Sequence, residues 1–191
     1  MVEALYLIRH GQTQWSKAGK HTGLTDIPLT KEGQKEARAL GQSLKNISFS
    51  HVFCSPLLRV VQTASIAGLS ANMTIDPDLV EINYGDFEGI TSKEIKEIDP
   101  MWGAFIKDCP NGETLDQIKT RADRVIARVL ELEGNVVVAS SGHFSRVLGT
   151  RWIQQQVSFA KHLFLSTASK SVLSFEHSNR VIQSWNDTSF L

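Results

Sequence analysis

Two arginines and two histidines of this sequence lie at or shortly after short apolar segments that are expected to form buried strands. These residues are Arg9, His10, Arg59 and His143. Arginine binds phosphate oxygens through two parallel hydrogen bonds, and neutral imidazole can act as a nucleophile or carry a proton. The four side chains therefore indicate a phosphate-binding site with histidine chemistry.

The expected sheet explains how residues so far apart in the sequence could meet. In open α/β sheets, ligands bind beyond the carboxyl ends of the strands. Arg9 and His10 end the first expected strand, and His143 follows the central one, where a helix begins. Helix N-termini favour anions, and Gly11 lets the backbone turn sharply beside a ligand. We therefore expect these side chains to converge at one edge of the sheet.

Hydrophobic periodicity and turn residues predict the elements that hold the site. We expect strands at residues 4–9, 51–54, 136–139, 171–175 and 181–185, with residues 73–82 extended. We expect helices at residues 30–46, 55–68, 91–107, 114–133 and 143–155, the second capped by Ser55-Pro56 and the third weak and broken at Asp99-Pro100. Residues 10–29 are polar and Gly-rich and are predicted to form a long loop. Strands that alternate with helices indicate the α/β class with a mostly parallel sheet.

Composition excludes several classes of protein. The chain has 191 residues, of which 41% are hydrophobic, and its 20 basic and 20 acidic residues cancel. We therefore expect one globular domain over residues 1–191, with no nucleic-acid or membrane partner. The N-terminus lacks the pattern of a signal peptide, and two cysteines do not form a disulfide framework. A cytoplasmic location is expected.

Three other chemistries fail on spacing. Cys54 and Arg59 are separated by one residue fewer than the loop of cysteine phosphatases requires. The segment after Gly142 is not a G-x-S-x-G nucleophile elbow, and no nucleotide-binding P-loop motif is present. The six histidines show no metal-ligand spacing, so we expect no metal and no cofactor.

Eight segments together resemble the histidine phosphatase, or phosphoglycerate mutase-like, superfamily. They are residues 7–13 (LIRHGQT), 22–26 (TGLTD), 28–30 (PLT), 55–59 (SPLLR), 62–64 (QTA), 79–89 (LVEINYGDFEG), 112–114 (GET) and 141–143 (SGH). They occur in the order of the family and cover most of the chain. The resemblance implies a three-layer α/β/α sandwich with a mostly parallel central sheet.

The resemblance also implies roles for individual residues. His10 would attack phosphorus and form a phosphohistidine, while Arg9, Arg59 and His143 would hold the phosphoryl oxygens. Glu81 would protonate the leaving alkoxide and then activate water. Further substrate contacts are expected from Ser16, Thr22, Gly23 and Phe144, although much of the family has Asn at the position of Ser16.

The resemblance favours the small phosphatase branch, which holds acid phosphatases and sedoheptulose bisphosphatase. The resembling mutases have a lysine soon after the Tyr-Gly segment and a later arginine pair, whereas here Lys93 is displaced by one place and residues 99–109 contain no arginine. We expect a phosphatase acting on a small sugar phosphate or phosphoglycerate. A phosphoglycerate mutase and a non-catalytic phospho-ligand binding module are the alternatives.

A lid is expected within residues 84–114. The side chains of Trp102, Phe105, Lys107 and Asp108 in this segment either shape substrate specificity or belong to the core or the surface. The sequence leaves homo-oligomerisation open.

Overall fold

The computed structural model describes all 191 residues as six strands and six α-helices. The strands are β1 (Val2–Arg9), β2 (His51–Cys54), β3 (Met73–Ile75), β4 (Gly134–Ser140), β5 (Lys170–Glu176) and β6 (Asn179–Asp187). The helices are α1 (Gln14–Lys17), α2 (Lys31–Leu44), α3 (Leu58–Ile66), α4 (Ser92–Ile98), α5 (Leu115–Leu130) and α6 (Gly142–Trp152). No helix has the length and hydropathy needed to span a membrane.

The strands form one mixed sheet in the order β3-β2-β4-β1-β5-β6. The pairs β2–β3, β2–β4 and β1–β4 are parallel, whereas β1–β5 and β5–β6 are antiparallel. The prediction of a mostly parallel sheet is confirmed. The two central strands, β1 and β4, end next to each other, because Arg9 pairs with Ser140.

Apolar side chains on both faces of the sheet make the fold three layers thick. Along β4, Val136 and Val138 pack in the core formed with α5 and α6, while Val137 and Ala139 pack with α2 and α3. This alternation follows from the period of two in a strand, and it buries the central strand on both faces. The α/β/α sandwich expected from the resemblance is confirmed.

Several predicted boundaries differ from the structure: the helix predicted over residues 91–107 ends at Ile98, before Asp99-Pro100, and two other differences have identifiable physical reasons. Helix α3 begins at Leu58 and not at Ser55, and its N-cap residue Leu57 has no side chain that can accept a hydrogen bond. Asp26, from the long loop, supplies the missing cap by accepting the N–H of Leu58 at 2.7 Å. The extended segment 73–82 is interrupted after β3 by a 3₁₀ turn, Pro77–Leu79.

The long loop after β1 is held close to α2 by two glycines. A Cβ atom on Gly11 would lie 2.4 Å from the carbonyl oxygen of Gly33, so the two backbones touch only because neither residue has a side chain. The loop also contains α1 and forms two antiparallel bridges, one within itself from Thr13 to Leu29 and one from Lys20 to Thr91. These contacts fix the loop over the carboxyl end of the sheet.

Residues 84–114 cover one side of the site and are built into the core. Trp102 and Phe105 are buried, Lys107 pairs with Asp99, and Asp108 accepts the N–H of Leu115 at 2.8 Å. All four side chains that could shape substrate specificity therefore make contacts within the protein. Two of them contact residues of the site: the ring centroid of Phe105 lies 5.0 Å from that of His143, and that of Trp102 lies 5.5 Å from that of His21. Movement of this segment as a lid stays a prediction.

Candidate active site

A cavity of about 230 Å³ lies beyond the carboxyl ends of β1 and β4. Its walls include four of the five expected catalytic residues: Arg9, His10, Glu81 and His143. The convergence of Arg9, His10 and His143 follows from the parallel pairing of β1 and β4, which places the residues at the ends of both strands at one edge of the sheet.

His10 presents one unprotonated ring nitrogen. Its Nδ1 lies 2.8 Å from the carbonyl oxygen of Gly11, which can only accept a hydrogen bond, so Nδ1 carries the proton and Nε2 keeps its lone pair. Burial lowers the pKa of His10 well below 6.5, and the charges of Arg59 and Arg9 add to this effect. The imidazole is therefore neutral at physiological pH, the form required of a nitrogen nucleophile.

Arg9 lies half-buried beside His10 without a carboxylate partner. Its Nη1 donates to the carbonyl oxygen of Leu165 at 2.5 Å, and its buried Nε–H has no partner. A Cβ atom at position 142 would lie 3.0 Å from the guanidinium carbon, so Gly142 gives the arginine its space. The unpartnered N–H is a donor that an anionic oxygen in the cavity could complete.

Arg59 is fully buried and does not line the cavity. Its Nη groups donate to the carbonyl oxygens of Thr22, Gly23 and Thr25, at 2.8–3.1 Å. Its Nε–H, like that of Arg9, has no partner. Arg59 therefore holds the long loop from behind the cavity wall, and its charge acts on His10.

Glu81 caps the helix that carries His143. Its Oε1 accepts the N–H groups of Ile82 and Phe144, at 2.9 and 2.8 Å, and its Oε2 accepts the N–H of His143 at 2.9 Å. The first N–H groups of a helix lack partners within it, and the N-cap residue Ser141 makes no side-chain bond to them. The carboxyl group therefore fixes the start of α6 while it lines the cavity. Oε2 accepts only one of the three bonds.

Tyr84 sets the proton position on His143. Its hydroxyl lies 2.6 Å from His143 Nδ1 and makes no other hydrogen bond in the protein. Burial raises the pKa of Tyr84 well above 10, so the phenol keeps its proton and donates it to Nδ1. Burial also lowers the pKa of His143 well below 6.5. The neutral ring then carries its own proton on Nε2, as a hydrogen-bond donor.

The expected substrate contacts divide into two groups. Ser16 and Thr22 line the cavity, as expected. Gly23 does not, because its N–H donates to the Glu88 carboxylate at 2.9 Å and its carbonyl oxygen accepts from Arg59. A Cβ atom on Gly23 would lie 2.4 Å from a backbone oxygen, so this glycine is required for packing.

Phe144 also does not line the cavity. Its side chain is fully buried in the core, and the guanidinium carbon of Arg121 lies 4.0 Å from the centre of its ring. Its backbone N–H is bonded to Glu81. Gly23 and Phe144 were expected to contact the substrate. The structure corrects this expectation, because both residues are engaged within the protein and neither lines the cavity.

Several cavity residues were not predicted from the sequence. They are Gly19, Lys20, His21, Tyr84, Ser92, Arg146, Phe164 and Leu165. Arg146 could have been found, because it lies three residues after His143 and so shares its helix face. Phe164 and Leu165 come from a segment without periodicity or motif, and no signal pointed to them.

The chain belongs to the histidine phosphatase superfamily (branch 1), whose sequence model matches residues 5–188. An acid phosphatase of Mycobacterium tuberculosis is 39% identical over 92% of this chain and 88% of its own length. Sedoheptulose 1,7-bisphosphatase of Saccharomyces cerevisiae is 35% identical over 76% of this chain and 66% of its own length.

Solved structures agree with this assignment. A Mycobacterium tuberculosis structure superposes with a TM-score of 0.93 at 38% identity, covering 96% of this chain and 97% of the other. A phosphoserine phosphatase of Entamoeba histolytica, in complex with 3-phosphoglyceric acid, has a TM-score of 0.85 at 25% identity and covers all of both chains. The family resemblance is confirmed, and these relatives support a phosphatase enzyme.

The three buried histidines should make stability depend on pH. The pKa values of His10 and His143 lie well below 6.5, and burial lowers that of His21 to about 4. Below about pH 6.5 the unfolded chain binds protons that the folded protein does not bind, so the free energy of unfolding should fall by up to about 1.4 kcal/mol per pH unit for each histidine. Urea unfolding between pH 7.5 and 5.5 measures this slope. His21→Phe should make this slope shallower, whereas the control variant His162→Ala, at an exposed histidine, should leave it unchanged. A free energy of unfolding that does not change with pH would contradict the lowered pKa values of the three histidines.

Tyr84→Phe should lower kcat on p-nitrophenyl phosphate about tenfold, with a smaller change in KM. The reason is that the hydroxyl fixes the His143 proton for a contact that strengthens as charge develops on the phosphoryl group. The control is Tyr6→Phe, since the hydroxyl of Tyr6 makes no hydrogen bond within the protein. An unchanged kcat in Tyr84→Phe would show that the Tyr84–His143 bond does not position the proton.

Proposed function

We propose that this protein is a metal-independent phosphomonoesterase that hydrolyses a small phosphorylated metabolite, of the sugar phosphate or phosphoglycerate type, through a phosphohistidine intermediate. The observation that carries the proposal is the unprotonated Nε2 of His10, held in a cavity beside Arg9 and His143. Both cysteines are buried free thiols, which fits the cytoplasmic location that we propose with this activity.

In the first step, the phosphoryl oxygens bind among N–H donors that are already in place. Arg9 offers its unpartnered Nε–H, and His143 offers Nε2–H. Arg59 adds positive charge from behind the cavity wall, with a second unpartnered Nε–H. Phosphoryl transfer depends mostly on positioning and charge stabilisation, which such donors supply. Ser16 and Thr22 contact the same ligand from the loop.

In the second step, Nε2 of His10 attacks phosphorus while the bond from phosphorus to the ester oxygen breaks. The leaving alkoxide takes a proton from the carboxyl group of Glu81, whose Oε2 accepts only one backbone N–H. Water then attacks the phosphohistidine and gives a proton back to Glu81. Inorganic phosphate leaves and His10 returns to its neutral form, so neither metal nor cofactor is consumed.

The test of this function is phosphate release by the wild-type protein and by His10→Ala, with EDTA present. The panel includes p-nitrophenyl phosphate, sugar mono- and bisphosphates and 3-phosphoglycerate. We expect release by the wild type and a loss of at least about 10³-fold in His10→Ala, because the covalent step has no other nucleophile. His162→Ala, which removes an exposed histidine, is the control.

Two results would contradict the proposal. Wild-type turnover in His10→Ala would exclude this histidine as the nucleophile. Absence of phosphate release together with isomerisation of 3-phosphoglycerate in the presence of 2,3-bisphosphoglycerate would show a mutase, and saturable ligand binding without either reaction would show a binding module.

Glu81→Gln should affect substrates according to their leaving group. An alkoxide needs a proton to leave, whereas p-nitrophenolate does not, so kcat should fall at least about 100-fold on an alkyl phosphate and much less on p-nitrophenyl phosphate. The control is Glu88→Gln, because Glu88 binds the long loop but does not line the cavity. If kcat fell equally on both substrates in Glu81→Gln, Glu81 would act only as a helix cap and not as the general acid.

A further inference from the structure

We propose that the buried ion pair between Arg121 and Glu113 is a positioning pair for the reaction, because it holds the segment that carries Glu81. This inference rests on the proposed function, in which Glu81 protonates the leaving alkoxide, and deepens it by assigning the residues that hold this acid. Neither partner of the ion pair lines the catalytic cavity. Both line a second cavity of about 580 Å³, and Glu81 lines this cavity as well as the catalytic one. The pair therefore acts through Glu81 and does not touch the substrate.

The residues around Glu81 have no regular secondary structure to hold them. After the 3₁₀ turn Pro77–Leu79, residues 80–84 belong to no helix or strand. The backbone groups of such a segment are fixed only where other parts of the protein bond to them. A general acid must bring its proton within hydrogen-bond distance of the leaving oxygen, and a displacement of about 1 Å can cost about 10²-fold in rate. The segment therefore needs anchors from outside.

Arg121 anchors the segment on the N-terminal side of Glu81. It projects from α5 and is only 7% exposed. Its Nη1 donates to the carbonyl oxygens of Asp78 and Val80, at 2.8 and 2.7 Å. Its guanidinium carbon also lies 4.0 Å from the centre of the Phe144 ring. Arg121 thus holds the residue before Glu81, and it packs on a residue whose N–H is bonded to the Glu81 carboxylate.

Glu113 anchors the C-terminal side of the same segment. Its backbone N–H donates to the carbonyl oxygen of Asn83 at 2.9 Å, and its Oε2 accepts the N–H of Asn83 at 3.2 Å. Gly112 allows this close approach, because a Cβ atom there would lie 2.3 Å from the same carbonyl oxygen. Tyr84 follows directly, so this anchor also holds the residue that sets the proton position on His143.

The ion pair joins the two anchors. Nε and Nη2 of Arg121 donate to Oε1 and Oε2 of Glu113, at 2.9 and 2.8 Å. Two parallel bonds of this kind fix the direction of both side chains, and a lysine cannot reproduce them. Replacing a buried ion pair by apolar residues is often neutral or stabilising, so stability alone does not account for this one. What apolar residues could not supply are the bonds to the backbone on both sides of Glu81.

The experiment uses the dependence of kcat on the leaving group, which reports on the general acid. Arg121→Lys keeps the charge but loses the two parallel bonds, whereas Glu113→Gln keeps the volume but loses the charge. In each variant kcat should fall about tenfold on glycerol 3-phosphate and less than about threefold on p-nitrophenyl phosphate, because only the alkoxide needs a proton to leave. A merely structural role would lower kcat equally on both substrates, and that result would overturn the proposal.

The matched control is Arg151→Lys. Arg151 also makes two bonds to one carboxylate, that of Asp123, and it lines neither of the two cavities. Its replacement should leave kcat unchanged on both substrates. In the background of Glu81→Gln, Arg121→Lys should cause no further loss on glycerol 3-phosphate, because the pair acts through that carboxyl group. Losses that multiply in the double variant would show an effect that bypasses Glu81 and would overturn the proposal.

Backbone NMR separates failure of the positioning pair from failure of the proposed function. The amide signals of Ile82 and His143 report their bonds to the Glu81 carboxylate without turnover. Both signals should shift in Arg121→Lys and neither should shift in Arg151→Lys, and this result would support the positioning of Glu81 even if the wild type released no phosphate. Unchanged signals in Arg121→Lys, in a protein that releases phosphate, would keep the phosphatase and reject the positioning pair.

Discussion

Two guanidinium groups, those of the half-buried Arg9 and the fully buried Arg59, lie at the site without any carboxylate partner, and the segments around them are arranged to supply their hydrogen bonds. Burying an unpaired charge costs several kcal/mol, and hydrogen bonds to backbone carbonyl oxygens offset part of that cost. Leu165 supplies the carbonyl for Arg9, and the loop after β1 supplies three for Arg59. The arginines thereby hold both segments against the carboxyl end of the sheet. In each arginine the buried Nε–H has no partner in the protein, and an anion in the cavity would complete the hydrogen bonding of Arg9.

This positive environment also determines the state of the histidines. Burial and nearby arginines lower the pKa values of His10 and His143, so that both rings are neutral. A neutral imidazole carries one proton on one of its two ring nitrogens. The hydrogen-bond partners place this proton on Nδ1 in His10 and on Nε2 in His143. The carbonyl of Gly11 leaves Nε2 of His10 with a lone pair, while the hydroxyl of Tyr84 leaves Nε2 of His143 with a proton. In the proposed mechanism, His10 attacks phosphorus through this lone pair and His143 binds a phosphoryl oxygen through this proton.

The sequence predicted the parts of the structure that are governed by local patterns. Strand β2 was predicted with its observed ends, and the residues after β1 and β4 were placed together because parallel strands end at one edge. Contacts made by distant residues could not be predicted in this way. Helices α3 and α6 are capped by Asp26 and Glu81, which lie far from them in sequence. Phe144 was misassigned because its ring direction depends on core packing that periodicity does not describe.

The most direct test of this account is the tautomer of each buried histidine, measured by ¹⁵N NMR of histidine-labelled protein at neutral pH. The account predicts two neutral rings of opposite kind, with the proton on Nδ1 in His10 and on Nε2 in His143. Variants His10→Ala and Tyr84→Phe assign the signals. An imidazolium at either position, or the same tautomer at both, would contradict the roles given to the nucleophile and its neighbour.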